Sequence, residues 1–315
     1  MFITVYLDGS GRKIYSEHVE GLRRVSCGLD MSVKRSVVIT GASTGIGWAT
    51  ANVLLGKGFR VFGTVRKQSD ADRLSAELGP DFVPLQADVT DEVAVRQAAV
   101  RVGEMLGSAR LAGLVNNAGI VVGGPLLHLE PSEVRRQMEV NLIGPFLVTK
   151  AFAPLLGTDS RRTGQPGRIV QISSVSGAMG VPFVGPYVAS KFALEGMSES
   201  LRRELMLYGI DVIVIGPGAV LTPIWDKAAA EDYGRFDTTD YGPIIQHFLA
   251  FFAAEGKKGL PSEEIGRVIH HALTVSKPKV RYAVVAQRLK NWTMPMLLPK
   301  RVVDRILGKQ LGLLK

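Results

Sequence analysis

Tyr187 and Lys191 stand four residues apart in the run Tyr187-Val188-Ala189-Ser190-Lys191, 13 residues after Ser174. On a helix, positions i and i+4 share a face, so an ammonium at 191 lies near the phenol at 187 and favours its ionised form. A phenol tuned in this way can act as an acid or base near neutral pH. The same spacing also arises by chance on amphipathic helices, so its meaning depends on what else the chain supplies.

A glycine-rich turn supplies the next part. Val37-Val38-Ile39-Thr40-Gly41-Ala42-Ser43-Thr44-Gly45-Ile46-Gly47 reads as strand, turn and helix start. Glycines let the backbone approach a pyrophosphate closely, and a helix N-terminus offers unpaired N–H groups and the positive end of its dipole. The spacing Gly-x-x-x-Gly-x-Gly departs from the Gly-x-Gly-x-x-Gly fingerprint, and a plain tight turn is the competing reading. The following strand ends Thr64-Val65-Arg66. An acid at that tip would take a ribose 2′-hydroxyl, whereas arginine suits a 2′-phosphate, so Val65 and Arg66 argue for NADP(H) over NAD(H). Ser43 and Thr44 can add hydroxyl contacts to the same phosphate. Arg66 as a solvated charge at a strand end is the alternative.

The elements that must position these residues follow from apolar patterning. Strand-like runs at 36–40, 60–65, 82–86, 111–116, 168–172, 211–215 and 281–285 alternate with helical patterns at 46–57, 69–78, 92–106, 132–156, 186–208 and 261–275. This alternation predicts an α/β fold, a doubly wound, mostly parallel, seven-stranded Rossmann-like sheet with helices on both faces. Residues 31–290 are expected to form one dinucleotide-binding catalytic domain. Residues 1–30 read as an extension ahead of a second methionine, Met31, and their deletion is expected to leave turnover and melting temperature unchanged; an ordered edge strand is the competing reading.

Composition narrows the class. With 46% hydrophobic and 21% charged residues the chain can fill a large core. Cys27 is the single cysteine, and the five histidines show no ligand spacing, so neither a disulfide framework nor a metal site is expected. The net charge of +9 is local: residues 277–315 hold ten Lys/Arg against Asp304 alone, which leaves the rest neutral. That argues against a nucleic-acid face on the main domain. No apolar run reaches the roughly 18 residues of a membrane span, and a cytoplasmic enzyme is expected.

Taken together, Thr40-Gly41-x-x-x-Gly45-Ile46-Gly47, Asn116-Asn117-Ala118-Gly119, Asn141, Ser174, Tyr187-x-x-x-Lys191 and Pro217-Gly218 follow the order and approximate spacing of a known family. Over about residues 34–285 the chain resembles the short-chain dehydrogenase/reductases, with a likeness to those acting on lipophilic alcohols, steroids and retinol. The resemblance implies that Tyr187 exchanges the proton with the substrate oxygen as hydride passes to or from the nicotinamide. It implies that Lys191 depresses the tyrosine's pKa and binds the nicotinamide ribose. Ser174, rather than Ser173, would hydrogen-bond the substrate oxygen, and Asn141 would hold a water that links the lysine to solvent. By the same resemblance Asp88 and Val89 fix the adenine ring, although Asp88 could instead cap the next helix. Asn117, Ala118 and Gly119 form the turn after the fourth strand, its asparagine mostly structural. Pro217, Gly218, Val220 and Thr222 belong to the nicotinamide loop.

By the same resemblance, residues over about 221–260 overlie the active site as a substrate lid, and Trp225, Tyr233, Phe236, Tyr241, Phe248, Phe251 and Phe252 crowd it. A pocket of that composition suits a small lipophilic alcohol or carbonyl compound; internal packing is the plainer account of any single ring. In the tail, Val303, Leu307, Leu311 and Leu314 repeat at helical spacing among Arg301, Arg305 and Lys309. This basic amphipathic segment, 290–315, fits peripheral contact with an anionic membrane, and packing on the protein's own core is the competing and more frequent outcome. A homo-oligomer is expected by family analogy. The predicted activity is an NADP(H)-preferring oxidoreductase interconverting a lipophilic alcohol and its ketone or aldehyde. A 3-ketoacyl thioester reductase is the second enzyme reading, and a non-catalytic nucleotide-sensing regulator comes from another class.

Overall fold

The computed structural model describes residues 34–224 and 232–314, and from the first 33 residues only two short antiparallel strands, Tyr6–Leu7 and Lys13–Ile14. Residues 1–34 and 35–315 form separate units. The reading of residues 1–30 as dispensable, and Trp225 in the lid, lie outside the described residues.

The larger unit is built on seven strands: β1 Ser36–Ile39, β2 Arg60–Val65, β3 Phe82–Gln86, β4 Gly113–Asn116, β5 Arg168–Ile172, β6 Asp211–Pro217 and β7 Arg281–Val284. They lie in the order β7-β6-β5-β4-β1-β2-β3, every neighbouring pair parallel. Strands covered on both faces need apolar side chains on both, which is why Val37, Val38 and Ile39 run without a polar break. Val37 and Ile39 enter one layer with Ala51, Leu54, Ile265 and Ile269, while Val38 enters the opposite layer with Leu114, Val148 and Phe152. The strand period of two makes one short run serve both cores. The strand order reverses between β1 and β4, and the crevice beyond their C-terminal ends is where such sheets bind ligands.

Two departures from the sequence reading bear on the site. The helix expected over 132–156 is broken into Pro131–Met138, a π-helical turn Glu139–Ile143, the helix Gly144–Ala153 and a second π-helical turn Pro154–Thr158. Pro145 and Pro154 have no N–H to donate, so the ladder widens ahead of each. The continuous stretch 131–158 is also long and apolar enough to cross a membrane, although polar residues interrupt it; half of its most apolar window is buried within this protein.

The second departure is the lid, which contains a full helix, Gly242–Lys257. Its Ile245 and Phe248 join Phe183, Val184, Tyr233, Phe236 and Leu311 in a third buried cluster. Leu311 follows the tail helix Lys300–Gln310 and is 2% exposed. Val303 and Leu307 are partly buried beside it, so this part of the stripe that suited a membrane on sequence grounds turns toward the protein, and Leu314 stays exposed.

Candidate active site

The glycine turn is shaped by contacts that exclude side chains. Gly41 has φ +67°, and a Cβ there would lie 3.0 Å from the Ala118 Cα. A Cβ on Gly47 would collide with the Gly41 carbonyl oxygen and come within 2.6 Å of Asn117 Nδ2. Asn117 Nδ2 donates to the carbonyls of Thr40 at 2.9 Å and Gly41 at 3.1 Å. Thr40 Oγ1 accepts from the N–H groups of Asn117 and Ala118 at 2.9 and 3.0 Å. The turns after β1 and β4 are therefore bolted together, and Asn117 is spent on that joint. The helix Gly45–Leu55 starts from Thr44, whose side chain makes no capping bond. A glycine cradle ahead of a helix N-terminus is the surface a pyrophosphate needs, and these residues fit a dinucleotide.

On the proton side, Lys191 is buried on the helix Gly185–Glu204, one turn beyond the partly buried Tyr187. Its Nζ donates to the Ile172 carbonyl at 2.8 Å and lies 5.6 Å from the centre of the Tyr187 ring. The two adjacent serines separate by direction. Ser173 Oγ donates to Glu195 at 2.8 Å, while the Ser174 hydroxyl faces the Tyr187 phenol and donates to the Pro217 carbonyl at 3.5 Å. Ser174 Oγ also accepts the Ser176 N–H at 3.1 Å, which starts a short turn over Val175–Gly177.

Asn141 occupies the π-helical turn Glu139–Ile143. There it is fully buried and reads the backbone of Ile120 in both directions: Oδ1 accepts its N–H at 2.9 Å and Nδ2 donates to its carbonyl at 3.0 Å. Nδ2 also donates to Ser190 Oγ at 3.2 Å, and Ser190 Oγ donates to the Tyr187 carbonyl at 2.7 Å. A π-helical turn is a frequent device at functional sites because it re-aims a side chain.

Residues 35–232 match the family described as short chain dehydrogenase. The chain belongs to that family. It is 39% identical over 277 residues to the NADPH-dependent 3-dehydrocapnine reductase of Ornithobacterium rhinotracheale, covering 88% of this chain and 97% of the relative. To retinol dehydrogenase 5 of Mus musculus it is 33% identical over 283 residues, covering 86% and 87%. A crystal structure of a short-chain dehydrogenase from Streptomyces avermitilis superposes with a TM-score of 0.70 at 28% identity, over 88% of this chain and 97% of that one. With such relatives the protein is an oxidoreductase, and the reading as a non-catalytic regulator falls away.

In this short-chain dehydrogenase the remaining candidate residues ring the same crevice. Pro217 ends β6, Gly218 N–H donates to the Val284 carbonyl at 2.9 Å, and Val220–Leu221 pairs with Leu260–Pro261. Thr222 lies against the glycine turn, since a Cβ on Gly45 would be 3.2 Å from its Cγ2. A Cβ on Gly119 would come 3.3 Å from Asn141 Oδ1. Asp88 accepts from Thr90 N–H and Oγ at 2.9 and 2.7 Å. The next helix is capped instead by Asp91, which accepts from Val93 and Ala94. Val89 is buried, and Arg66 is exposed at the tip of β2.

The electrostatics depart from expectation. Burial raises the Tyr187 phenol above its ordinary value, and the Ser174 hydroxyl beside it pulls the other way. Burial lowers Lys191 to about 8, against the opposing field of Glu195. The ammonium lies near the ring and gives a hydrogen bond to a backbone carbonyl, so the expected lowering of the phenol by Lys191 is not what this arrangement provides.

Two residues escaped the sequence reading. Arg73 Nη2 donates to the Ser43 carbonyl at 2.8 Å, which puts a second cation beside the glycine turn. Gln137 supports Asn141 from one turn earlier, accepting the Val122 N–H at 2.7 Å and donating to the Ile120 carbonyl at 2.9 Å. No local motif marks either; a polar residue at i−4 from Asn141 was the one available signal.

Proposed function

We propose that this enzyme is an NADP(H)-preferring oxidoreductase that interconverts a lipophilic alcohol and its ketone or aldehyde, with Tyr187 as general acid and base. The observation that carries the reading is the position of Tyr187: its phenol faces the Ser174 hydroxyl, its ring packs against the aromatic lid cluster, and Lys191 follows one turn later. A substrate oxygen at that phenol has an apolar wall beside it. The names of the relatives support both halves, one for NADPH and the other for an apolar alcohol.

When bound, the nicotinamide dinucleotide supplies or accepts the hydride. Gly41, Gly45, Ile46 and Gly47 would hold its pyrophosphate end, Arg66 with Arg73, Ser43 and Thr44 its 2′-phosphate, and Asp88 and Val89 its adenine. Asn117, Ala118, Gly119, Pro217, Gly218, Val220 and Thr222 line the rest. Tyr187 gives its proton to the carbonyl oxygen in reduction and takes one from the hydroxyl in oxidation, and a phenol raised by burial suits the donor role. Ser174 donates to the same oxygen as charge develops there. Lys191 holds positive charge in the buried site, and Asn141 fixes the segment at Ile120 and the start of the catalytic helix.

A panel of carbonyls and alcohols followed by NADPH absorbance tests the reading. Bulky apolar ketones or aldehydes are expected to give the highest kcat/KM, with NADPH preferred to NADH, and Tyr187→Phe to lose on the order of a hundredfold or more in kcat. A preference for short acyl thioesters would move the assignment to the thioester reductase, and full turnover by Tyr187→Phe would end the catalytic scheme.

We also propose a cytoplasmic enzyme that touches membrane surfaces through residues 290–315. Val302 and Ile306 are exposed on the outer side of the tail helix beside Arg301 and Arg305, which supports contact with an anionic surface. Equal sedimentation with anionic liposomes before and after removal of 290–315 would exclude it. Exposed Phe146 and Phe192, on the helices that follow Asn141 and carry Tyr187, support a homo-oligomer; a monomer in analytical ultracentrifugation would refute it.

A further inference from the structure

Glu195 extends the stripe Tyr187, Lys191, Glu195 by one more helical turn, and its side chain and that of Arg281 on β7 are only 19% and 22% exposed. Arg281 grips the carboxylate with two nitrogens, Nε to Oε2 at 2.8 Å and Nη2 to Oε1 at 2.9 Å. Each partner then holds one of the two serines. Glu195 Oε1 accepts from Ser173 Oγ at 2.8 Å, and Arg281 Nη2 donates to the Ser174 carbonyl at 3.2 Å.

The backbone leaves room for this pair. A Cβ on Gly177 would stand 2.5 Å from Glu195 Oε1, and one on Gly216 would stand 2.6 Å from Arg281 Nη2. Trp292 covers the guanidinium, its ring centre 4.4 Å from Arg281 Cζ. A largely buried ion pair is weak support for stability on its own, because desolvation offsets much of its attraction. Here three elements are spent on one: the catalytic helix, the last strand and the tail.

We infer that Glu195 and Arg281 are positioning residues for the reaction: as a bidentate pair they clamp the Ser173–Ser174 segment against the catalytic helix and set the field in which Lys191 works. The inference rests on the catalytic roles proposed above for Tyr187, Ser174 and Lys191. Among the described residues, the ionisable groups bearing on Lys191 are Tyr187 and Glu195 on its own helix and, through Glu195, Arg281 from the last strand. Glu195 supports the charged form of Lys191, while Arg281 partly cancels Glu195. The two partners therefore act on the lysine with opposite signs, which a merely structural bridge has no reason to show in turnover.

The test compares Glu195→Gln, Arg281→Met and the double variant with the full-length wild type, using NADPH and the best carbonyl of the panel. Melting temperature and NADPH binding by nicotinamide fluorescence are read alongside turnover. Each single variant should lose on the order of tenfold or more in kcat with a smaller change in KM, since displacing a reacting group by a fraction of an ångström has that effect. Glu195→Gln should move the alkaline limb of kcat/KM to lower pH, and Arg281→Met should move it to higher pH, each by about one unit.

The double variant removes both charges together, so it should regain melting temperature lost by the singles while kcat stays low. Recovery of kcat along with stability in the double variant would overturn the inference. So would unchanged limbs, or limbs that move in the same direction. Should a single variant fail to fold, the double variant alone decides through its kcat. Full activity of Tyr187→Phe would be a separate failure, that of the catalytic reading itself.

Discussion

At the scale of single residues, the chemistry turns on what burial does to two groups. Lys191 stands at about 8 against an ordinary value of 10.5, so the unfolded chain binds its proton more tightly than the folded one between those limits. The desolvation penalty is fully present below pH 8 and is relieved as pH rises toward 10.5, so this group makes the fold gain stability across that window. Under the proposed mechanism activity has the opposite dependence, because the ammonium is there the working form. We therefore expect kcat/KM for carbonyl reduction to hold up to about pH 8 and fall above it, measured over a pH series with NADPH. The same logic predicts that Lys191→Met loses turnover without losing melting temperature, which thermal denaturation checks.

At the scale of elements, the π-helical turn Glu139–Ile143 brings Asn141 to the backbone of Ile120 and to Ser190 at once. A regular helix would carry this side chain on a different bearing. Replacing Asn141 by Ala strands a partly buried N–H and a share of a partly buried carbonyl, at a cost of about 1 kcal/mol. Chemical denaturation should show that loss together with a fall in kcat, because Ser190 connects the same amide to the Tyr187 carbonyl. The lid helix Gly242–Lys257 belongs to this scale too. Phe248 stacks on Phe252 with centroids 5.2 Å apart and tilts against Phe183 at 5.2 Å, so most lid rings hold the wall together and Tyr187 meets that wall.

At the scale of the whole molecule, the tail is a structural part of the aromatic cluster proposed to wall the substrate. Leu311 inserts among Phe183, Val184, Phe236 and Phe248, and His247 bonds the Gln310 carbonyl at 3.0 Å. Leu311→Ala should lower stability by about 2–5 kcal/mol, as buried leucine truncations do, and raise KM for bulky substrates by loosening the wall. Denaturant titration and steady-state kinetics on one preparation separate the two effects. Removal of residues 1–30 should change neither turnover nor melting temperature, since no motif of the candidate site falls before Thr40.

Local patterns determined a good deal. Apolar runs such as Val37-Val38-Ile39 specify strands covered on both faces, and the glycines at 41, 45 and 47 mark a turn, because those signals act between residues close in sequence; that the turn tolerates no side chain was decided largely by Ala118, Asn117 and Thr222, which pack on it from far along the chain. The pairing of Tyr187 with Lys191 belongs to the same class. Other features needed the folded chain. The break at Glu139–Ile143 depends on a proline's missing donor and on the packing that accepts the wider turn, and the lid helix on apolar side chains contributed from Phe183 and Leu311. Which serine faces Tyr187 was decided by Glu195 drawing Ser173 away, a contact across 22 residues. The sign of the tyrosine's shift was decided by burial, a property of the whole packed molecule that no i, i+4 spacing contains.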